Sequence, residues 1–275
     1  MPLPGFVSLD SPREVAHVEV ARLEFREGRE PDRSQLIPKP LGGGPVYEKS
    51  PVIQGVLFDL FETLVTESNA SMQRASSLAS ELGVSEDAYR PYWRARRPDV
   101  VLGRSTFRDT LAQIIRASGG TPDERLLDDL RSKRMSQKAA VMRDVEPDVL
   151  AAVGALRERG LRLALVSNSF AEDVAGWDSS PLHPFFDVAL FSCDVGLAKP
   201  DSRIYLLACR NLDVAPAHTL FIGDGADDEL AGARRAGVPA CQARWFLARR
   251  QPPAFAPDDR GLWRPSDVVT AATAA

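Results

Sequence analysis

Cysteine and histidine are scarce in this 275-residue chain, at three residues each. Cys193, Cys209 and Cys241 are odd in number and far apart, with no CxxC spacing, and His17, His183 and His218 are scattered without ligand or triad spacing. A disulfide framework and a zinc site are not indicated, and a reduced, cytoplasmic setting is expected. Positive charge is not in excess either. Thirty-four Lys and Arg stand against 38 Asp and Glu, a formal net charge of -4, whereas nucleic-acid affinity rests on clustered basic residues. Nucleic acid is therefore not an expected partner. No apolar run approaches the roughly 20 residues that cross a bilayer, and the N-terminus has no basic segment followed by an apolar stretch. Membrane insertion and secretion are disfavoured.

What is present suits a soluble core: 44 % hydrophobic and 26 % charged residues, in a chain long enough for one domain carrying an inserted smaller one. Residues 1–51 are set apart by frequent proline and the run Gly42, Gly43, Gly44, a composition that predicts a flexible extension. Within it, "REVAHVEVARLEF" fits a helix and a strand equally well. From residue 52 the pattern becomes regular. Strands are predicted at "GVLF" (55–58), "LRLALV" (161–166), "VALFS" (188–192) and "TLFIG" (219–223). Helices are predicted at "PDVLAAVGALRERG", "DSRIYLLACRNL" and "DELAGARRAG". Apolar strands without in/out alternation, separated by amphipathic helices, predict a doubly wound parallel α/β sheet covered on both faces. The core is expected over 52–66 and 145–250, with a tail at 251–275. Residues 67–144 contain no strand pattern and read as four helices, with Ser85 and Ser105 as caps and Thr121-Pro122 as a helix start. An all-helical domain inserted after the first strand is the expected cap.

In parallel α/β sheets ligands bind beyond the carboxyl ends of the strands, so the polar residue ending each strand carries the information. The first strand runs into Asp59, the second into Ser167 and Asn168, and the fourth into Asp224, while Lys199 lies in the loop "GLAKPDSRIY" after the third. Taken singly, these residues read as a cap, a turn former and a solvated lysine. Taken in order, each at its strand end, they form a site for an anion and a divalent cation.

These stretches resemble the motifs of the haloacid dehalogenase-like (HAD) hydrolase superfamily: "FDLFETLV", "LVSNS", the lysine of "GLAKPDSRIY" and "FIGDGADDELAGARRAGVP". The resemblance covers roughly residues 52–243 and includes the helical-cap branch, implying a Rossmann-like core. It implies that Asp59 is the nucleophile, that Ser167 and Lys199 contact the transferring group, and that Asn168, Thr63 and the cap residue Arg94 bind substrate. Mg2+ would be held by Asp59, the Phe61 carbonyl, Asp224 and a second acid, for which Asp228 is favoured by spacing and Glu229 by alignment on "AGARRAG". Asp228 ranks first.

Phe61 departs from the pattern, because family phosphatases usually place there an Asp that protonates the leaving group. The adjacent Glu62 is expected to aim elsewhere. Three readings follow for a small-molecule substrate: a Mg2+-dependent phosphatase of a phosphorylated metabolite, a metal-independent 2-haloacid dehalogenase, and a catalytically weak binding protein. The acidic fourth motif favours the first, and Phe61 the other two. Among the cap arginines Arg90, Arg94, Arg96, Arg97, Arg104 and Arg108, one or two could reach the substrate by their bidentate fork.

Overall fold

The computed structural model describes residues 52–67, 78–249 and 260–274. The expected extension, with "REVAHVEVARLEF", lies outside the described residues. In chain order the elements are β1 (Gly55–Phe58), α1 (Leu78–Glu81), α2 (Glu86–Val101), α3 (Phe107–Ala117), α4 (Glu124–Arg143), α5 (Pro147–Glu158) and β2 (Arg162–Ser167). These are followed by α6 (Ala171–Val174), β3 (Val188–Phe191), α7 (Ser192–Val195), α8 (Ser202–Leu212), β4 (Thr219–Gly223) and α9 (Glu229–Arg235). The last three are β5 (Ala240–Ala243), β6 (Gly261–Leu262) and α10 (Asp267–Thr273).

The six strands form one sheet in the order β3-β2-β1-β4-β5-β6, and every neighbouring pair is parallel. Strand residues alternate between two cores. Val56, Phe58, Leu163, Leu165, Leu220 and Ile222 face the apolar residues of α5 and α10, including Val149, Val153, Leu156 and Val268. Leu57, Ala164, Val166 and Phe221 face α8 and α9 through Ile204, Ala208, Leu212, Leu230 and Ala233. Burial on both faces explains why these strands read as apolar runs without alternation. Each fully buried aliphatic or aromatic side chain contributes roughly 1.5–3 kcal/mol, so the strand ends are held by a rigid base. The chain leaves β1 toward β2 and β3 on one side, then returns to β4 on the other. The crevice between β1 and β4 is thus the topological switch point, where open α/β sheets bind ligands.

Residues 78–143 form an inserted all-helical block with a core of its own, in which Phe107, Leu111, Ile114 and Leu127 are almost wholly buried. Ser85 caps α2 through Ala88 N–H. The α3 cap is Thr106 rather than the expected Ser105, since its hydroxyl accepts from Asp109 N–H at 3.0 Å. Asp123, beyond the Thr121-Pro122 pair, caps α4 by accepting from Arg125 N–H and Leu126 N–H. Phe170 of the sheet domain packs into this helical core. The Arg134 guanidinium lies 4.6 Å from its ring and pairs with Asp173 at 2.7 Å.

The expected tail at 251–275 differs from the structure over 260–274. There β6 pairs with β5, and α10 packs on α5 through Val268 and Ala272. A two-residue strand is too short to leave a sequence pattern. Among the described residues, no helix is long and apolar enough to cross a membrane.

Candidate active site

Asp59 directly follows β1, and its backbone N–H donates to the Ile222 carbonyl of β4 at 2.9 Å, which fixes it on the β1/β4 crevice. It is 7 % exposed. Lys199, buried in the loop before α8, donates through Nζ to the Asp59 carboxylate and to Glu229 Oε2, the latter at 2.5 Å. Oxygens of Asp59, Asp224 and Glu229 lie within 4.8 Å of one another.

Asp228, the residue ranked first by spacing, is not in this cluster. It is exposed, while Glu229 is buried. The reason is the backbone. Asp227 (φ 52°) and Asp228 (φ 59°) both adopt the left-handed conformation, a state that Asp tolerates better than most residues. The loop therefore takes up one extra residue before α9 begins, and the acid turned inward is Glu229. Its Oε1 also accepts from Gly225 N–H at 2.9 Å, and its carbonyl accepts from the buried Tyr205 hydroxyl at 2.7 Å. Gly223 makes room for it, since a Cβ there would stand 2.1 Å from Glu229 Oε1. Gly223→Ala should displace the Glu229 carboxylate and lower stability by about 1–3 kcal/mol, as overpacking typically does; a thermal-unfolding curve checks this.

The charges are unbalanced. Three carboxylates surround one ammonium, and the pKa shifts register the strain. Burial, then the Asp59 charge, push Asp224 up to about 6, against the pull of Ala226 N–H and Lys199. Burial also raises Glu229, and Asp59 and Asp224 add to the rise against the pull of Lys199. For Lys199 burial acts downward, but the Asp59 and Glu229 charges outweigh it and hold the ammonium above its usual range.

The other expected residues divide. Ser167 ends β2, is almost wholly buried, and shares a hydrogen bond with Ser169 Oγ at 2.7 Å. Asn168 is bonded to the loop that carries Lys199. Its Oδ1 accepts from Lys199 N–H at 2.8 Å, and its Nδ2 donates to the Lys199 carbonyl at 2.9 Å and to Asp227 Oδ2 at 3.2 Å. Thr63 has no exposed surface for a substrate; its carbonyl accepts from the Trp245 indole N–H at 2.9 Å. Phe61 is partly buried beneath the inserted block. Glu62 is turned into its own loop, accepting from Thr66 Oγ1 and Glu67 N–H at 3.0 Å each. Arg94 is exposed on α2 and borders a cavity of about 500 Å³ with Tyr89, Trp93 and Arg97. Arg97 is the α2 arginine that reaches the loop after β4, 3.7 Å from Asp227.

Two supporting residues escape the sequence reading. Gln242 on β5 donates to the Asp224 carbonyl at 2.9 Å, and a polar residue amid the buried "ACQA" was its one available signal. Ser192 accepts from Ser169 N–H at 3.0 Å and donates to the Val101 carbonyl at the end of α2 at 2.7 Å. Nothing in the local sequence points to it.

The sequence pattern that defines the haloacid dehalogenase-like hydrolases matches residues 53–237, and the chain belongs to this family of hydrolases. It is 28 % identical over 200 residues to the glyceraldehyde 3-phosphate phosphatase of Methanopyrus kandleri, covering 70 % of this chain and 84 % of that protein. It is 31 % identical over 202 residues to the phosphoglycolate phosphatase of Salmonella typhi, covering 68 % and 80 %. Similar solved structures include a 2-haloacid dehalogenase of Pseudomonas syringae pv. Tomato, with a TM-score of 0.56 and 23 % identity over 80 % of this chain and 98 % of that one. A HAD phosphatase of Thermococcus onnurineus has a TM-score of 0.52 and 22 % identity over 80 % and 97 %.

Proposed function

We propose that this hydrolase is a Mg2+-dependent phosphatase of a small phosphorylated metabolite, acting through an aspartyl-phosphate on Asp59. The observation that carries the reading is the cluster of buried Asp59 and Glu229 with half-buried Asp224 around one Lys199 ammonium. Three carboxylates against one ammonium leave an excess of two negative charges, which a hard divalent cation with oxygen ligands matches. Asp59, Asp224 and Glu229 would hold it, together with the Phe61 carbonyl, which no donor reaches among the described residues. When bound, the cation supplies charge neutralisation between the nucleophile and the phosphoryl oxygens.

The chain's own residues then have definite tasks. Lys199 holds the Asp59 carboxylate in place through its ion pair, and offers positive charge to the transferring group. Asp59 attacks phosphorus, splitting one difficult displacement into two easier ones. The Asn168 amide locks the Lys199 backbone, and Ser167 supplies a hydroxyl at the neighbouring strand end. Similarity to curated phosphatases supports this chemistry over carbon–halogen cleavage. Phe61 and the shared fold favour a 2-haloacid dehalogenase as the second reading, with Asp59 attacking carbon.

A thermal-unfolding series with Mg2+ and with chelator tests the cation. A ligand bound only by the native state adds about 2.7 kcal/mol at a hundredfold excess over Kd, so Tm should rise with Mg2+, and Asp224→Ala should remove the rise. The pH dependence has a definite sign. Raised carboxylate pKa values mean that the cation-free native state binds protons more tightly than the unfolded chain. Its stability therefore declines as pH rises through the folded pKa, from about 4 past 6 for Asp224. Bound Mg2+ opposes this decline, so the Tm increment should grow toward pH 8 and fade below about 6. A Tm indifferent to Mg2+ at pH 8 would contradict the reading.

A further inference from the structure

Lys138 of α4 is only 8 % exposed. Its Nζ stands 4.1 Å from the centroid of the Phe61 ring and pairs with Glu67. Phe61 is two residues beyond Asp59, so a cation of the inserted block is held against the loop that carries the nucleophile. Burying an ammonium is costly unless its charge is met. Glu67 meets it with a carboxylate, and the ring face adds a cation–π attraction. An ammonium has three N–H groups; Glu67 engages one, and no other acceptor is in hydrogen-bond contact with Lys138 among the described residues.

Displacement at phosphorus proceeds in line, with attacking and leaving oxygens on opposite sides. Asp59 attacks from the strand ends, so the bond that breaks points away from them, on the side where the inserted block reaches the loop after β4. We infer that Lys138 stabilises the negative charge developing on the leaving oxygen, a task the Phe61 side chain cannot perform. This rests on the phosphatase reading and extends it to the leaving-group side of the same site. As the Asp59–phosphorus bond forms, the bond to the leaving oxygen breaks and its electron pair stays on that oxygen. The oxygen departs as an anion beside the ammonium and takes its proton from water, while Lys138 keeps its own protons. Phe61 is the platform that holds the charge in place.

The test compares hydrolysis of ethyl phosphate, a poor leaving group, with 4-nitrophenyl phosphate, a good one, at saturating Mg2+. Lys138→Met keeps the length and removes the charge; Lys138→Gln does so with a polar end; Lys138→Arg keeps the charge. Loss of one preorganised electrostatic contact costs about 10²–10³-fold. Both neutral variants should lose about that factor in kcat on ethyl phosphate and only a few-fold on 4-nitrophenyl phosphate, whereas Lys138→Arg retains most of the rate on both. Equal losses on the two esters, no loss on either, or an arginine variant as impaired as methionine, in folded protein with an undiminished Mg2+-induced Tm shift, would overturn the inference and leave the phosphatase reading standing. Wild-type protein that releases no phosphate from either ester would overturn both.

Discussion

Asp59→Asn should abolish turnover, by about 10⁴–10⁶-fold, as removal of a nucleophile commonly does, while leaving the chain folded. The amide has the shape of the carboxylate but not its negative charge, so no covalent intermediate can form. Stability should change little, because two effects oppose each other. The amide loses its ion pair with Lys199 but relieves repulsion from Asp224 and Glu229, which sit within the same 4.8 Å cluster. Steady-state kinetics alongside a melting curve would show this. Full activity in folded Asp59→Asn protein would rule out both the phosphatase and the dehalogenase chemistry.

Glu229→Gln and Asp228→Asn should separate by orders of magnitude, although the residues are adjacent. Glu229 is buried and bonded to Lys199 at 2.5 Å and to Gly225 N–H at 2.9 Å. Its neutralisation takes one carboxylate from the cluster and one of the two anionic partners from Lys199. A loss of about 10²-fold or more in kcat/KM is expected, in line with removal of a preorganised electrostatic contact, together with a reduced Mg2+-induced Tm shift. Asp228 is exposed, and its side chain makes no ion pair among the described residues. Asp228→Asn should stay within about 0.5 kcal/mol of wild-type stability and close to wild-type activity. Measuring kcat/KM and Tm for the two variants side by side checks the assignment, and the opposite ranking would restore the one suggested by spacing.

These expectations also mark where the sequence was legible. The sheet could be read because burial on both faces forces an unbroken apolar run, and a charged residue ending such a run has to face a crevice. Asp59 and Asp224 were read in this way, and Lys199 from the loop that follows the third strand. Glu229 was not ranked first because residue spacing cannot register two consecutive left-handed residues, which consume chain without advancing the helix. The clamp of Asn168 on Lys199 joins residues 31 positions apart and so leaves no local signature. Thr63 comes from the resemblance alone, and the full burial of its side chain in the turn leaves no trace in a single residue's identity. Lys138 shares the buried face of α4 with Leu127, Leu130, Val141 and Met142, but a lysine on a mostly polar helix ordinarily reads as solvated, and the docking of that face is not legible locally.

The measurement that bears most directly on the central claim is product release by one enzyme preparation, with Mg2+ and with chelator, from phosphomonoesters and from a 2-haloacid such as 2-chloropropionate. Inorganic phosphate is expected from the esters in the presence of Mg2+, with its loss on chelation and no chloride under either condition. Chloride release undiminished by chelator, with no phosphate from any ester, would contradict it.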